Sequence, residues 1–141
     1  MRIVLACDHG GFELKEQIKK WLCDRGEQIV DVGLREFDET SDFPIFAKLG
    51  VGEILAHGGI GIFICGTGIG ISIAANRYRG IRAALCHSVE YAKMSRLHND
   101  ANVLCLGGRY LNFEQAKEII ETFLKTEFLG GKYQKRIDLL D

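Results

Sequence analysis

An excess of either charge is missing from this 141-residue sequence: 18 Lys and Arg face 19 Asp and Glu, leaving a net charge of -1. Without a basic field there is nothing to gather nucleic acid or an anionic membrane, so neither is expected as a partner and any anion has to be caught by local groups. Long hydrophobic runs are lacking too, and no stretch approaches the ~20 apolar residues that span a bilayer. The opening run Arg2-Ile3-Val4-Leu5-Ala6-Cys7 gives way at once to Asp8 and His9, which reads as a first strand and not as the apolar region of a leader. A soluble, cytoplasmic protein is the expectation. There is no internal repeat or low-complexity stretch, and 47% apolar with 26% charged residues is the balance of a packed globule. The five cysteines, at 7, 23, 65, 86 and 105, form no CxxC pair, which argues against a zinc site and a disulfide scaffold alike and leaves reduced thiols as the expectation.

At this length the chain holds one compact domain, 1–141, and is too short for two of ordinary size. After the strand at 2–7, Leu14, Ile18, Trp21 and Leu22 recur at helical spacing, and Gly26 suits a helix stop. A short strand follows at about 28–32, then a polar loop through Glu39, Thr40, Ser41 and Asp42, with Pro44 marking the next helix start. That helix, 44–57, carries Gly50 and Gly52, which lower its propensity. Further along, strands are predicted at 60–65, 81–86 and 102–106 and helices at 69–78 and 88–98. Ala116, Ile119, Ile120, Phe123 and Leu124 then trace a clear amphipathic stripe, and Gly130-Gly131 precedes a basic helical tail within 130–141. Apolar strands alternating with helices imply a three-layer α/β/α sandwich around a five-stranded parallel, Rossmann-like sheet. Ligands of such sheets bind beyond the carboxyl ends of the strands. The residues found there are Cys7-Asp8-His9-Gly10-Gly11, Cys65 to Gly70, Cys86-His87-Ser88 and Gly107-Gly108-Arg109.

Of these, Cys65-Gly66-Thr67-Gly68-Ile69-Gly70 joins a buried strand to a helix start, where free backbone N–H groups and the helix dipole favour an anion. It is not a dinucleotide fingerprint, because the sixth position from Gly66 is Ile71, nor a phosphatase loop, because the position that needs an arginine is again Ile71. A thiol mounted here can be drawn from a pKa of about 8.5 toward neutrality and serve as a base. Removing a proton beside a sugar carbonyl creates an enediolate, and backbone donors can hold its oxyanion, each typically worth about 2.7–4 kcal/mol of barrier. Equally, Cys65 can be a buried strand-end thiol and the glycines a tight turn.

The neighbouring groups carry the same ambiguity. Asp8 and His9 suit acid–base work or, alternatively, a helix cap beside an incidental imidazole. Arg109 can bind phosphate bidentately or stand as a surface arginine. Lys132 and Arg136, four apart, share a helix face that either closes over a phosphate or is solvated. His98, placed between a helix and a strand, reads on its own as structural, and so do His57, His87, Cys23 and Cys105.

Taken together, CDHGGFELK at 7–15, ICGTGIGISIAANRYRGIRAALC at 64–86, SRLHNDANVLCLGGR at 95–109 and GGKYQKR at 130–136 resemble the type B ribose-5-phosphate isomerases and the related galactose-6-phosphate isomerase subunits, nearly end to end and in order. The resemblance implies an aldose–ketose isomerase that interconverts D-ribose 5-phosphate and D-ribulose 5-phosphate through a cis-enediolate, without metal or other cofactor. It also implies a homodimer, in some members assembled into a tetramer, with the active site shared between subunits. By the same resemblance Cys65 is the proton-shuttling base, Thr67 with Gly66, Gly68 and Gly70 holds the enediolate, and His98 opens the sugar ring. Asp8 handles a hydroxyl proton, Asn99 hydrogen-bonds the substrate, and His9, Arg109, Lys132 and Arg136 bind the phosphate.

Two positions depart from the family pattern. Lys132 replaces a common arginine, keeping charge but losing the bidentate fork, and Phe43 replaces a frequent tyrosine, removing a hydroxyl near the sugar. They leave open a six-carbon sugar phosphate, such as allose or galactose 6-phosphate, or a free rare aldose as substrate. A flavin-binding or phospho-receiver module shares the five-stranded plan, but a receiver needs an acidic residue where Cys65 stands.

Overall fold

Apolar runs buried on both faces pair side by side in parallel, and in the computed structural model, which describes Met1 to Asp141, five of them do. The elements are β1 (Arg2–Cys7), α1 (Phe12–Asp24), β2 (Gln28–Asp31), α2 (Phe43–His57), β3 (Ile60–Cys65), α3 (Ile69–Ala75), β4 (Ala83–Leu85), α4 (Val89–Asn99), β5 (Val103–Gly107), α5 (Phe113–Lys125) and α6 (Lys132–Asp138). A single 3-10 turn, His9–Gly11, joins β1 to α1. The sheet order is β2-β1-β3-β5-β4, all parallel. The predicted three-layer architecture is therefore observed.

Alternation along the strands divides the core in two. Ile3, Leu5, Ile62, Ile64, Leu104 and Leu106 pack against α1, α4 and α5, while Val4, Ala6, Phe63, Cys65, Val103 and Cys105 face α2 and α3. The predicted helix over 44–57 forms despite its glycines. Gly50 is where the Phe63 ring lies against α2, and a Cβ there would come within 2.5 Å of Phe63 Cζ.

Two elements are shorter than their patterns predict, for one reason. β4 covers only Ala83–Leu85 because the backbone on either side of its start is bonded by amide side chains: Arg82 N–H donates to Asn102 Oδ1 at 2.8 Å. Asn76 ends α3 early by turning toward Ala83, accepting from its N–H at 2.7 Å and donating to its carbonyl at 2.9 Å. At the same end of the sheet α4 takes in His98 and Asn99 and stops at Asp100, whose φ of 44° is left-handed.

A buried cation fixes the long loop between β2 and α2. Lys15, 0% exposed, donates through Nζ to Asp31 Oδ2 at 2.8 Å, Glu16 Oε1 at 2.7 Å and the Leu34 carbonyl at 2.9 Å. Burial works against its charge, but the hydrogen bonds to Asp31 and Glu16 outweigh it and hold its pKa above the ordinary lysine value. Burial likewise opposes the Asp31 carboxylate, yet donors from Lys15, Lys19 and the Gly33 N–H bring its pKa below the usual range.

Candidate active site

Three loops meet beyond the carboxyl ends of β1, β3 and β5, and they touch main chain to main chain. A Cβ on Gly10 would lie 2.6 Å from Gly66 N, and one on Gly108 would lie 2.5 Å from the Gly10 carbonyl oxygen, so both contacts require glycine. Gly108 N–H donates to the Cys65 carbonyl at 2.8 Å and Arg109 N–H to that of Gly66 at 3.0 Å. Asp8, 6% exposed, caps the 3-10 turn by accepting from Gly10 N–H at 2.9 Å.

Cys65 ends β3 on the face toward α2 and α3 and is 5% exposed. Gly68, left-handed with φ of 79°, turns its N–H back to Cys65 Sγ at 3.2 Å. Thr67 Oγ1 accepts from Ile69 N–H at 3.1 Å, and the Phe43 ring lies across Gly70. The other thiols are differently placed. Burial pushes Cys7 up to about 12 and Cys86 to about 11, and lifts Cys105 well above its ordinary value, so all three stay neutral. Cys23 is exposed on α1.

Beside this rim an open cavity of about 390 Å³ is lined by His9, Gly10, Glu13, Phe37, Gly108 and Arg109, among others. His9 is held from the β2–α2 loop: its N–H donates to Ser41 Oγ at 2.9 Å, and its Nδ1 lies 2.9 Å from the same oxygen. The Phe37 ring stands edge-on to it, 6.4 Å between centroids.

The remaining sequence-identified residues are elsewhere. Because α4 runs back from the carboxyl end of β4 to the start of β5, His98 and Asn99 sit at the amino edge of the sheet, and α6 packs beside them. His98 stacks on Tyr133 at 4.2 Å with an interplanar angle of 10°. Lys132 Nζ and Arg136 Cζ lie 5.3 and 5.6 Å from the same ring, so the two cations do share a face. The segment before α6 is tied down by Leu129 N–H donating to the Leu97 carbonyl at 3.1 Å. Asn99 also lines a cavity of about 430 Å³ with Asn76, Arg82 and Asp141.

Thus one chain gathers Asp8, His9, Cys65, Gly66, Thr67, Gly68, Gly70 and Arg109 at one rim and His98, Asn99, Lys132 and Arg136 at the other. Sequence reasoning overlooked Ser41 and Tyr133. An aromatic between two cations in Lys132-Tyr133-Gln134-Lys135-Arg136 was the available signal for the second, and the first had none. No group of three His, Cys, Asp or Glu side chains is arranged to hold a metal ion, and no helix is long and apolar enough to cross a membrane.

The family model described as Ribose/Galactose Isomerase matches residues 3–140. Ribose-5-phosphate isomerase B of Escherichia coli (strain K12) is 43% identical over 141 residues, spanning 99% of this chain and 93% of the relative. Among solved structures, a ribose 5-phosphate isomerase from Thermotoga maritima superimposes with a TM-score of 0.97 at 47% identity, covering 99% of this chain and 97% of that one. Ribose-5-phosphate isomerase B from Mycoplasma genitalium, solved with bound ribulose-5-phosphate, gives a TM-score of 0.94 at 40% identity, covering 99% and 93% respectively.

Proposed function

The chain belongs to the ribose/galactose isomerase family, and from that footing we propose that it interconverts D-ribose 5-phosphate and D-ribulose 5-phosphate with Cys65 as the base. The thiolate takes the proton from C2 of the open-chain aldose, the electrons pass into a cis-enediolate, and the same proton returns to C1. Nothing is oxidised or reduced overall, so no cofactor is called for. The observation that carries this reading is the Gly68 N–H aimed at Cys65 Sγ at 3.2 Å, inside the glycine loop that opens α3. A thiol with a main-chain donor at a helix start is placed to hold charge. The amides of Gly66 to Gly70, with Thr67, stabilise the enediolate oxygens.

His9 and Arg109 grip the phosphate in the cavity they line. Asp8 relays a hydroxyl proton, His98 opens the furanose ring, Asn99 hydrogen-bonds the open sugar, and Lys132 and Arg136 complete the phosphate clamp. Those last four lie at the opposite edge of the sheet, which supports a homodimer in which each site takes them from the partner subunit.

The test is turnover of ribose 5-phosphate by the native protein and by Cys65→Ala. A loss of about 10²- to 10⁴-fold in kcat is expected for removing a general base, and full activity in the variant would eliminate Cys65 from the mechanism. Phe43 across Gly70, and Lys132 without a bidentate fork, favour a second reading in which a six-carbon sugar phosphate or a free aldose is preferred. Comparing kcat/KM for pentose and hexose phosphates separates the two.

A further inference from the structure

We propose that Ser41 is a positioning residue that fixes His9 as its Nε2–H tautomer, so that a neutral imidazole presents a donor to the anion held beside Arg109. The argument follows from the bonding capacity of one oxygen. Ser41 Oγ stands 2.9 Å from His9 N and 2.9 Å from His9 Nδ1, and it has no other hydrogen-bond partner in the chain. A backbone N–H can only donate, so it occupies one lone pair of Oγ. Oγ keeps a second lone pair, but were Nδ1–H to donate to it the hydroxyl proton would have no partner in the chain; sending that proton to the Nδ1 lone pair satisfies both atoms. A neutral imidazole carries one ring proton, and with Nδ1 accepting, that proton resides on Nε2.

The hydroxyl is built into place. Ser41 N–H donates to the Asp38 carbonyl at 3.1 Å, Asp38 is itself bonded to Thr40 N–H at 3.0 Å, and the start of the loop is anchored through the Leu34 carbonyl on buried Lys15. The Phe37 edge restricts the ring further.

The chemical consequence concerns what the cavity offers an oxyanion. Sulfate and the dianion of a phosphate monoester accept hydrogen bonds only, so an Nδ1–H tautomer would turn its Nε2 lone pair toward like charge. The Nε2–H tautomer adds a donor without a second fixed charge beside Arg109. Asp8, Glu13 and Asp38 are the acidic groups around the imidazole, from the same turn, from α1 and from the loop.

This inference rests on the anion-binding role given above to His9, but its test needs no turnover. Protein labelled with ¹⁵N-histidine, examined by long-range ¹H–¹⁵N correlation at about pH 8, above the ordinary histidine pKa of about 6.5, should show His9 with Nε2 protonated and Nδ1 bare, the signal being assigned by its loss in His9→Gln. Ser41→Ala should mix the tautomers and weaken the binding of inorganic sulfate about three- to tenfold, as for loss of one hydrogen bond. Ser41→Thr should restore both. With ribose 5-phosphate the alanine variant should raise KM and leave kcat within about twofold. An Nδ1–H tautomer in the native protein, or a Ser41→Ala variant with unchanged tautomer and sulfate affinity, would overturn the proposal. Failure to isomerise ribose 5-phosphate while these readouts hold would instead overturn the substrate assignment alone.

Discussion

Cys65→Ala and His98→Ala should each be nearly inactive alone, and together they should recover about a quarter of native activity. The magnitude follows from the chain path. Cys65 is paired with Gly107 at the carboxyl end of β5, whereas His98 precedes Val103 at its start. Four residue steps at about 3.3 Å separate the two levels by roughly 13 Å along the strands. The residues also belong to different layers, Cys65 toward α2 and α3 and α4 on the opposite face. One chain therefore cannot bring both to one sugar, and the proposed two-fold dimer would supply two sites, each with Cys65 from one subunit and His98 from the other. In a heterodimer of the two variants, one site receives both substitutions and the other receives neither. Random pairing of equal amounts makes half the dimers mixed, each with one intact site of two, which gives about a quarter of native turnover. The assay is ribose 5-phosphate isomerisation by co-expressed, differently tagged variants, measured on the doubly purified mixed species and on the bulk mixture. Activity no greater than that of the parents would refute the shared site, as would native-level activity in either parent.

Other perturbations have equally definite outcomes. Asp31→Asn removes one side of a buried ion pair and should cost about 3 kcal/mol, read from urea unfolding. Because the folded Asp31 carboxyl titrates below its usual range, its stabilisation is complete above an unfolded pKa of about 3.9 and is lost as pH falls through the folded value. The gap between native protein and variant should accordingly narrow in acid, and a gap constant with pH would contradict the assignment. Iodoacetamide near neutrality should alkylate Cys23 and Cys65 and spare Cys7, Cys86 and Cys105, whose thiols are held neutral. Peptide mass mapping reads this, and ribose 5-phosphate should protect Cys65 alone. Tyr133→Leu, which deletes the ring between His98 and the two cations, should lower kcat/KM about tenfold at unchanged fold, judged by circular dichroism. Unaltered kinetics would reduce that ring to packing.

Much of the architecture was written in periodicities short enough to read. The buried runs Ile60–Cys65 and Val103–Gly107 became central strands, and Pro44 and Gly26 marked helix limits near where they occur. What escaped was bonding between side chains and distant main chain. The trimming of β4 depends on Asn76 and Asn102, whose amides replace partners that the apolar pattern of 81–86 takes for granted. Lys15 falls within an amphipathic helix as an ordinary surface charge, and only the fold reveals Asp31 and the Leu34 carbonyl closing around it. For the site, the rim residues after β1, β3 and β5 were identifiable from topology. The division of the family-matched set between two edges follows from the same alternation, because α4 has to return to the start of β5, but the stacking of Tyr133 on His98 does not. Ser41 and His9, 32 positions apart, meet through a loop with no periodic signal.

Asn76 has a consequence for colloidal behaviour. An outermost β-strand leaves alternate amide and carbonyl groups facing solvent, a template on which a foreign strand can zip. Here the Asn76 carboxamide plugs into Ala83 from outside like a single residue of a missing neighbour, and in so short a strand only Leu85 is left, by alternation, with an outward pair. Sheets of separate molecules thus find no template along this margin, and the ribbon-like polymerisation open to an unguarded edge is blocked by one carboxamide.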